Sequence, residues 1–258
     1  MKHANLVGGS TIARRISCNG SMYLETQCAP KESRPSAAAY RGTLLHLIME
    51  DLIEAVNTGK YLERKTWKIS TPPGGGAPYV ITPEDITQCK EALAYVTELA
   101  GPSPRVMESE VSAFIDEDFG GIVDLVIVPS DNSKVMHIVD YKFGTMPISA
   151  TKNKALAFYT HCMLDAKRDW FEEHDIQRVV FHIVQPNNTN SWALDDNWFL
   201  HTFMPEVDNL VEYSKRMADT YSEADLATGN HCMFCKAKSI CPLQDDSHFQ
   251  LNLSGQRE

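Results

Sequence analysis

Two carboxylates break two apolar, β-rich runs. The first run ends Gly120-Gly121-Ile122-Val123-Asp124, and sixteen residues after that acid stands Asp140, followed by Tyr141 and Lys142. A carboxylate inside an apolar strand is costly to bury unless it is paired or holds a metal. Three β-rich segments, 106–115, 122–129 and 135–142, are separated by short breaks, with Asp131-Asn132-Ser133-Lys134 reading as a hairpin turn. Strands joined in this way can set Asp124 beside Asp140, and a divalent cation between them relieves their repulsion. Lys142 follows Asp140 by two residues on the same face of the strand, where it can act on a water at that ion or on a phosphate. Taken singly, each residue also reads as a strand-end acid or a solvated lysine. Together they point to a site.

A helix supplies the complement. From Ala37 to Val56, Leu44, Leu45, Leu47, Ile48, Leu52, Ile53 and Val56 recur at helical spacing without a proline. His46 and Glu50, four residues apart, share a face of that helix. Hard oxygen ligands with one imidazole suit magnesium or manganese better than a closed zinc site. Glu108 and Glu110 share a face of the preceding strand; Glu110 reads either as a further metal or water contact or as a salt-bridged surface glutamate.

Elsewhere the pattern predicts helices over 83–100, 150–167 and 205–221 and a short buried strand over 178–185. With 258 residues, 43% of them apolar, one domain spanning 1–258 is expected. It divides into an irregular or short-helical arm (1–36), a core (37–222) with an excursion over 59–78, and a cysteine-bearing segment (223–258). The excursion carries Lys60, Arg64, Lys65 and Lys68 and then a Pro/Gly run, Thr71 to Pro78, that excludes a regular element. No apolar run approaches the roughly 20 residues of a spanning helix, and the first residues lack a signal core. Secretion and membrane insertion are therefore not expected, and a cytoplasmic location is. The balance of 24 Lys+Arg against 34 Asp+Glu, a net charge of -10, excludes coating of nucleic acid by bulk electrostatics. It leaves room for a local basic groove, for which Arg14, Arg15, Arg41, the Lys60 to Lys68 group, Lys152, Lys154, Lys236 and Lys238 are candidates.

Gly42-Thr43-x-x-His46-x-x-x-Glu50, then Gly121-x-x-Asp124, then Asp140-Tyr141-Lys142, in that order, resembles the PD-(D/E)XK nuclease superfamily. The nearest branch is similar to the RecB-type nucleases, which include CRISPR-adaptation nucleases and phage exonucleases. The resemblance implies an α/β, restriction-endonuclease-like fold, with a central mixed sheet flanked by helices. It implies that His46, Asp124, Asp140 and the Tyr141 carbonyl hold one or two Mg or Mn ions, that Lys142 is the catalytic lysine, and that Glu50 belongs to the motif. The family's Gln-x-x-x-Tyr helix reads here Ala155-Leu156-Ala157-Phe158-Tyr159: the tyrosine is present and Ala155 replaces the amide. Tyr159 is then either a contact to DNA or Lys142, or a helix-core aromatic.

Seven cysteines in a chain without an export signal argue against a disulfide framework. Cys232-Met233-Phe234-Cys235 followed by Cys241-Pro242 is a soft-metal signal that lacks a fourth local ligand. Structural zinc sites usually come as two pairs or add a histidine, whereas iron-sulfur clusters often use irregular spacings ending in Cys-Pro. RecB-type nucleases with an iron-sulfur staple resemble this arrangement, taking one cysteine from the N-terminal arm and three from the C-terminal segment. That resemblance implies a [4Fe-4S] cluster on Cys18, Cys232, Cys235 and Cys241, with Cys28 in reserve for Cys18. Zinc held by the same four, or by three cysteines with His231, is the alternative. Cys89 and Cys162 read as core residues of helices.

The implied activity is a metal-dependent exonuclease acting on linear duplex or single-stranded DNA in recombination, repair or phage genome processing. A recombination or single-strand-binding protein is the implied partner, and an oligomer is compatible. The alternatives are a structure-specific or single-strand endonuclease, a catalytically weak DNA-binding subunit, and a zinc-stapled protein without an enzymatic role.

Overall fold

Apolar side chains that alternate along the central strands divide the interior into two layers. In the computed structural model, which describes residues 4–28, 36–60, 69–70, 79–131 and 133–244, the strands are β3 (Val106–Phe114), β4 (Gly120–Val128), β5 (Val135–Tyr141), β6 (Arg178–Val184) and β7 (Asn190–Ala193). They follow β1 (Ile69–Ser70) and β2 (Tyr79–Val80), a separate antiparallel pair. The five strands form one sheet in the order β3-β4-β5-β6-β7, antiparallel except for the parallel pair β5–β6. Parallel neighbours need a crossover, and here α5 (Lys154–Ala166) and α6 (Arg168–Glu173) supply it. The mixed sheet flanked by helices agrees with the expected architecture.

Leu125 and Ile127 of β4 with Val139 and Tyr141 of β5 face one layer, formed with Leu45, Ile48, Met49 and Ile53 of α3 (Ala37–Thr58) and Cys89, Ala92 and Val96 of α4 (Pro83–Ala100). Val126, Val128, Met136 and Ile138 face the other, against Leu156, Ala157 and Phe158 of α5 and Val207 and Leu210 of α8 (Met204–Thr220). A two-sided apolar sheet of this kind is what helices on both faces require. Before α8 the chain passes through α7 (Asp196–Trp198) and one π-helical turn, Phe199–Phe203.

Predicted and observed boundaries agree closely for α3, α4 and the central strands. The crossover helix starts at Lys154 rather than Ala150, because the Asn153 side chain accepts the Ala155 and Leu156 N–H groups as its N-cap. The arm is short-helical, one of the two expected forms. It contains α1 (Ile12–Ser17) and α2 (Gly20–Thr26), Val7 bridges Phe119, and Val7, Ile12 and Met22 are buried in the second layer's core. Most of the excursion, with Arg64, Lys65, Lys68 and the Pro/Gly run, lies outside the described residues, as do Asn132 of the hairpin and the tail from 245. Among the described residues, no helix is long and apolar enough to cross a membrane.

Candidate metal centre and cysteine site

The alternation of β3 and β4 reverses within the sheet. Val106 of β3 and Val126 and Val128 of β4 face the α5 layer from even positions, whereas Val111, Ala113 and Val123 face the same layer from odd ones. The registers Ser109↔Leu125 and Val111↔Val123 flank the reversal, which falls on Glu110 and Asp124. Glu110 has φ +54°, a backbone conformation rare outside glycine. This broken pleat frees Asp124 from the two packed faces. Its Oδ2 accepts the Tyr141 N–H at 2.8 Å, beyond the three paired positions of the β4–β5 ladder, and so brings it beside Asp140. The continuous apolar run of β4 gives no sequence signal for the reversal.

His46 comes in from α3, its Nδ1 3.4 Å from Asp124 Oδ1. Its ring stands edge-on to Tyr141 and Phe143. Burial opposes the imidazolium, yet the bond to Asp124 and the charges of Asp124 and Asp140 prevail and raise its pKa. Asp140 is 9% exposed and its Oδ2 is paired with Lys142 Nζ. Burial, with Asp124 adding and Lys142 opposing, holds the Asp140 carboxyl above its ordinary range. Burial lowers Lys142, but Asp140 and Asp124 more than compensate, so the lysine keeps its charge. Burial, Asp124 and Glu50 push Glu110 up. His46 thus contacts Asp124 and Lys142 contacts Asp140, with the Tyr141 N–H joining the two pairs, and Glu110 feels the charge of Asp124 and His46. Glu50 instead lines an open acidic groove with Glu54, Asn57, Glu108 and Glu110.

Tyr159 rises from α5 into a slot between two glycines. A methyl on Gly121 would stand 2.7 Å from its ring, and one on Gly9 would collide with its hydroxyl. Burial, then Asp140 and Asp124, raise its pKa, so the hydroxyl stays protonated near the two acids. Ala155 lies one turn earlier on the same helix, half-buried.

Among the described residues, no three His, Cys, Asp or Glu side chains stand gathered as an ion would require. The donor chemistry nevertheless fits a hard cation. Burial first, and then the charge of Asp124, pushes both Glu110 and Asp140 toward their protonated forms, so the oxygens around Asp124 are of the type a hard cation takes.

Several expected groove residues are otherwise engaged. Arg41 donates to Asp85 Oδ1, to the Phe143 carbonyl and to Gln88 Oε1, each at 2.7 Å, tying α3 to α4 and to the strand end that carries Lys142. Arg14 and Arg15 are buried on Glu25, and Lys154 pairs with Glu206. Sequence reasoning offered these only as candidates for a groove, each otherwise a solvated charge, because a partner 10 to 52 positions away leaves no local mark. It also missed Gln185, 3% exposed, whose side chain donates to the Gly144 and Met146 carbonyls and accepts the Ile148 N–H. That amide fixes the loop following Lys142.

At the far end of α1, Cys18, Cys232, Cys235, Cys241 and His231 line one small cavity of about 20 Å³. Cys18 Sγ accepts the Ala227 N–H at 3.4 Å. Cys28 is absent from that lining; its thiol faces the Leu24 and Lys236 carbonyls. Cys18 rather than Cys28 thus shares this cavity with Cys232, Cys235 and Cys241. Two features of the cavity bear on a soft metal: its lining includes four thiols, alongside Leu24, Leu226 and Ala227 among others, and the neighbouring Arg14 has a buried Nε that donates to nothing among the described residues. Cys89 and Cys162 are core residues, and burial pushes both thiols up to about 12.

Residues 3–257 match the family described as protein of unknown function (DUF2800). The chain belongs to that family. No curated protein matches this DUF2800 chain. Among solved structures it is similar to the crystal structure of SSO0001, at 12% identity and a TM-score of 0.31, over 92% of this chain and 96% of that one.

Proposed function

We propose that this DUF2800 protein is a divalent-metal-dependent deoxyribonuclease of the PD-(D/E)XK type, working as an exonuclease on linear DNA. The reading is supported by one observation: α3 sets His46 Nδ1 3.4 Å from Asp124 Oδ1, and Asp124 Oδ2 accepts the Tyr141 N–H between Asp140 and Lys142, which are themselves paired. His46, Asp124, Asp140 and the Tyr141 carbonyl would hold Mg or Mn, with Glu110 available for a second ion. The bound cation supplies Lewis-acid polarisation of the phosphate and a water acidic enough to attack. Lys142, kept protonated by its two acids, orients that water or neutralises charge on the phosphate. Tyr159, pressed between Gly9 and Gly121, limits how far Asp124 and Asp140 can move. The restriction-endonuclease-like classification belongs to the same reading, as do a recombination or single-strand-binding partner and work in the cytoplasm of a phage-infected or lysogenic cell. Cys18, Cys232, Cys235 and Cys241 would hold a [4Fe-4S] cluster, or zinc in its place, and pin both ends of the chain.

A second reading, a catalytically weak DNA-binding subunit, is favoured by Ala155 in place of an amide and by Lys142 already paired with Asp140. Digestion of end-labelled linear duplex, linear single strands and closed circles with Mn, Mg or EDTA separates the readings. Metal-dependent loss of linear DNA with circles spared is expected, falling on the order of 10²–10³-fold in Asp140→Ala and Lys142→Ala. Cleaved circles would identify an endonuclease. Activity that survives in both variants would remove the site assignment, and inactivity of metal-loaded wild type would leave the binding subunit.

A further inference from the structure

Beside the cysteine cavity, among the described residues, lies a cluster in which two arginines share one glutamate. Arg14 donates to Glu25 Oε1 at 3.0 Å and Arg15 to Glu25 Oε2 at 2.8 Å, and none of the three side chains is more than 8% exposed. Guanidinium groups do not deprotonate in proteins, so among the described residues two positive charges share one carboxylate and one is left without a paired acid in a buried setting. Isolated buried charge is strongly unfavourable. The Arg14 Nε, also buried, has no acceptor among the described residues.

The same cluster grips the segment that carries the cysteines. Arg14 donates to the Phe234 carbonyl at 3.2 Å, and Glu25 Oε1 accepts the Lys236 N–H at 3.0 Å. Those two backbone groups flank Cys235, whose Sγ is 3.7 Å from Glu25 Oε1. Arg15 ties the cluster to the arm through the Leu6 carbonyl and Ser21 Oγ, and Ser21 in turn donates to the Cys18 carbonyl. Cys18 and Cys235, far apart in sequence, are thus held by one hydrogen-bonded unit. Neutral thiols would leave its surplus charge without a partner. Four thiolates around zinc(II) or an iron-sulfur core carry a net negative charge and would supply one.

We propose that Arg14, fixed by Glu25 and backed by Arg15, is the counter-charge and positioning residue of an anionic metal–thiolate centre on Cys18, Cys232, Cys235 and Cys241. This rests on the cysteine site read above. It adds that the site depends on a charge outside the ligand set. Outer-shell partners of this kind typically tune metal affinity 10- to 100-fold.

The test uses the full chain, freed of metal under anaerobic conditions, with Co²⁺ and Zn²⁺ as probes. Co²⁺ bound by thiolates is read from its near-ultraviolet charge-transfer band, which an oxygen-ligated ion at the acidic site does not give. Zn²⁺ affinity is read by competition with a chromophoric chelator. Arg14→Gln is expected to weaken thiolate-bound Zn²⁺ about 10- to 100-fold at unchanged far-ultraviolet circular dichroism, and Arg14→Lys to recover most of the loss. Arg14→Gln binding as wild type overturns the proposal. So does an Arg14→Lys variant that folds but binds as weakly as Arg14→Gln, because shape rather than charge would then be at stake. Should Arg14→Gln fail to fold, the lysine variant decides alone: near-wild-type affinity supports the proposal and a loss of tenfold or more overturns it. Wild type giving no charge-transfer band with Co²⁺ removes the cysteine site itself, a different failure from that of the Arg14 role.

Discussion

Tyr159 owes its position to what two other residues lack. Gly121 is half of the Gly-x-x-Asp motif, and Gly9 comes from the N-terminal arm, more than 100 residues away in sequence; both backbones touch the same ring. Gly121→Ala would place a methyl 2.7 Å from an aromatic carbon in a packed setting, and small-to-large changes of this kind typically cost about 1–3 kcal/mol. The ring would have to leave its slot beside Asp124 and Asp140, so metal-dependent activity is expected to fall together with stability. Urea unfolding of the variant checks the first part. A midpoint equal to wild type would mean that the slot is not tight. At this scale His46, Asp124, Asp140 and Lys142 were legible because each breaks an apolar pattern, which gives a charged residue a reason to be there. Gly9, Glu25 and Gln185 were not legible, because their roles consist of contacts with distant backbone.

Helices and strands were legible where a repeated period had room to declare itself. The 22-residue α3 and 18-residue α4 carry several turns of apolar spacing, and α4 also opens with a Thr82 to Asp85 capping box. The six-residue α1 and α6 and the four-residue β7 are too short for a period to show. The pleat reversal at Glu110 is a backbone event inside a run apolar on both faces. The clamp between α3 and α4 was misread for a related reason: Arg41 looked like a free cation until Asp85 was brought to it. Asp85, 1% exposed, accepts from Arg41, the Tyr79 hydroxyl, and the Thr82 N–H and hydroxyl. Asp85→Asn removes the charge and forces one amide hydrogen among those donors. Breaking a buried ion pair from one side costs about 3–5 kcal/mol, here shared with a lost cap. Since Arg41 also holds the Phe143 carbonyl, the variant should loosen the strand end bearing Lys142. Hydrogen exchange at Lys142 and Phe143 is expected to rise in Asp85→Asn; exchange confined to α4 would mean that the clamp does not reach the site.

At the scale of the whole molecule, a buried polar chain crosses from one helix layer into the sheet. The Tyr95 hydroxyl of α4 lies 2.8 Å from His182 Nδ1 on β6, and His182 Nε2 lies 2.8 Å from His137 Nδ1 on β5. Burial, with the neighbouring His137, holds the His182 pKa down to about 3, and burial lowers His137 as well, against the pull of Asp131. The unfolded chain takes up these protons near pH 6.5, whereas the folded chain refuses one at His182 until about pH 3. The stability linked to His182 is therefore fully present above about pH 6.5 and is lost as pH falls from there toward about 3. Depressed carboxylates add to the loss only later. Glu25 and Asp85 both lie below their ordinary values: burial raises each, and Arg15, Arg14 and the Lys236 N–H at Glu25, and Thr82, Tyr79 and Arg41 at Asp85, prevail and lower it. Their share is present above the ordinary carboxylate pKa and disappears as pH drops through the depressed one. His46 and Asp140, both raised, act in the opposite sense, so the wild-type curve alone is a sum of unlike signs. The difference between wild type and His182→Gln isolates the histidine. Between pH 6.5 and 4.5, wild-type unfolding free energy should fall more steeply than that of the variant, the difference in slope growing toward about 1.4 kcal/mol per pH unit, the slope of one proton, as pH drops well below 6.5. Parallel curves from urea titrations across that range would mean that the folded sheet accepts a proton at His182, and that the Tyr95–His182–His137 chain is not the neutral tie its burial implies.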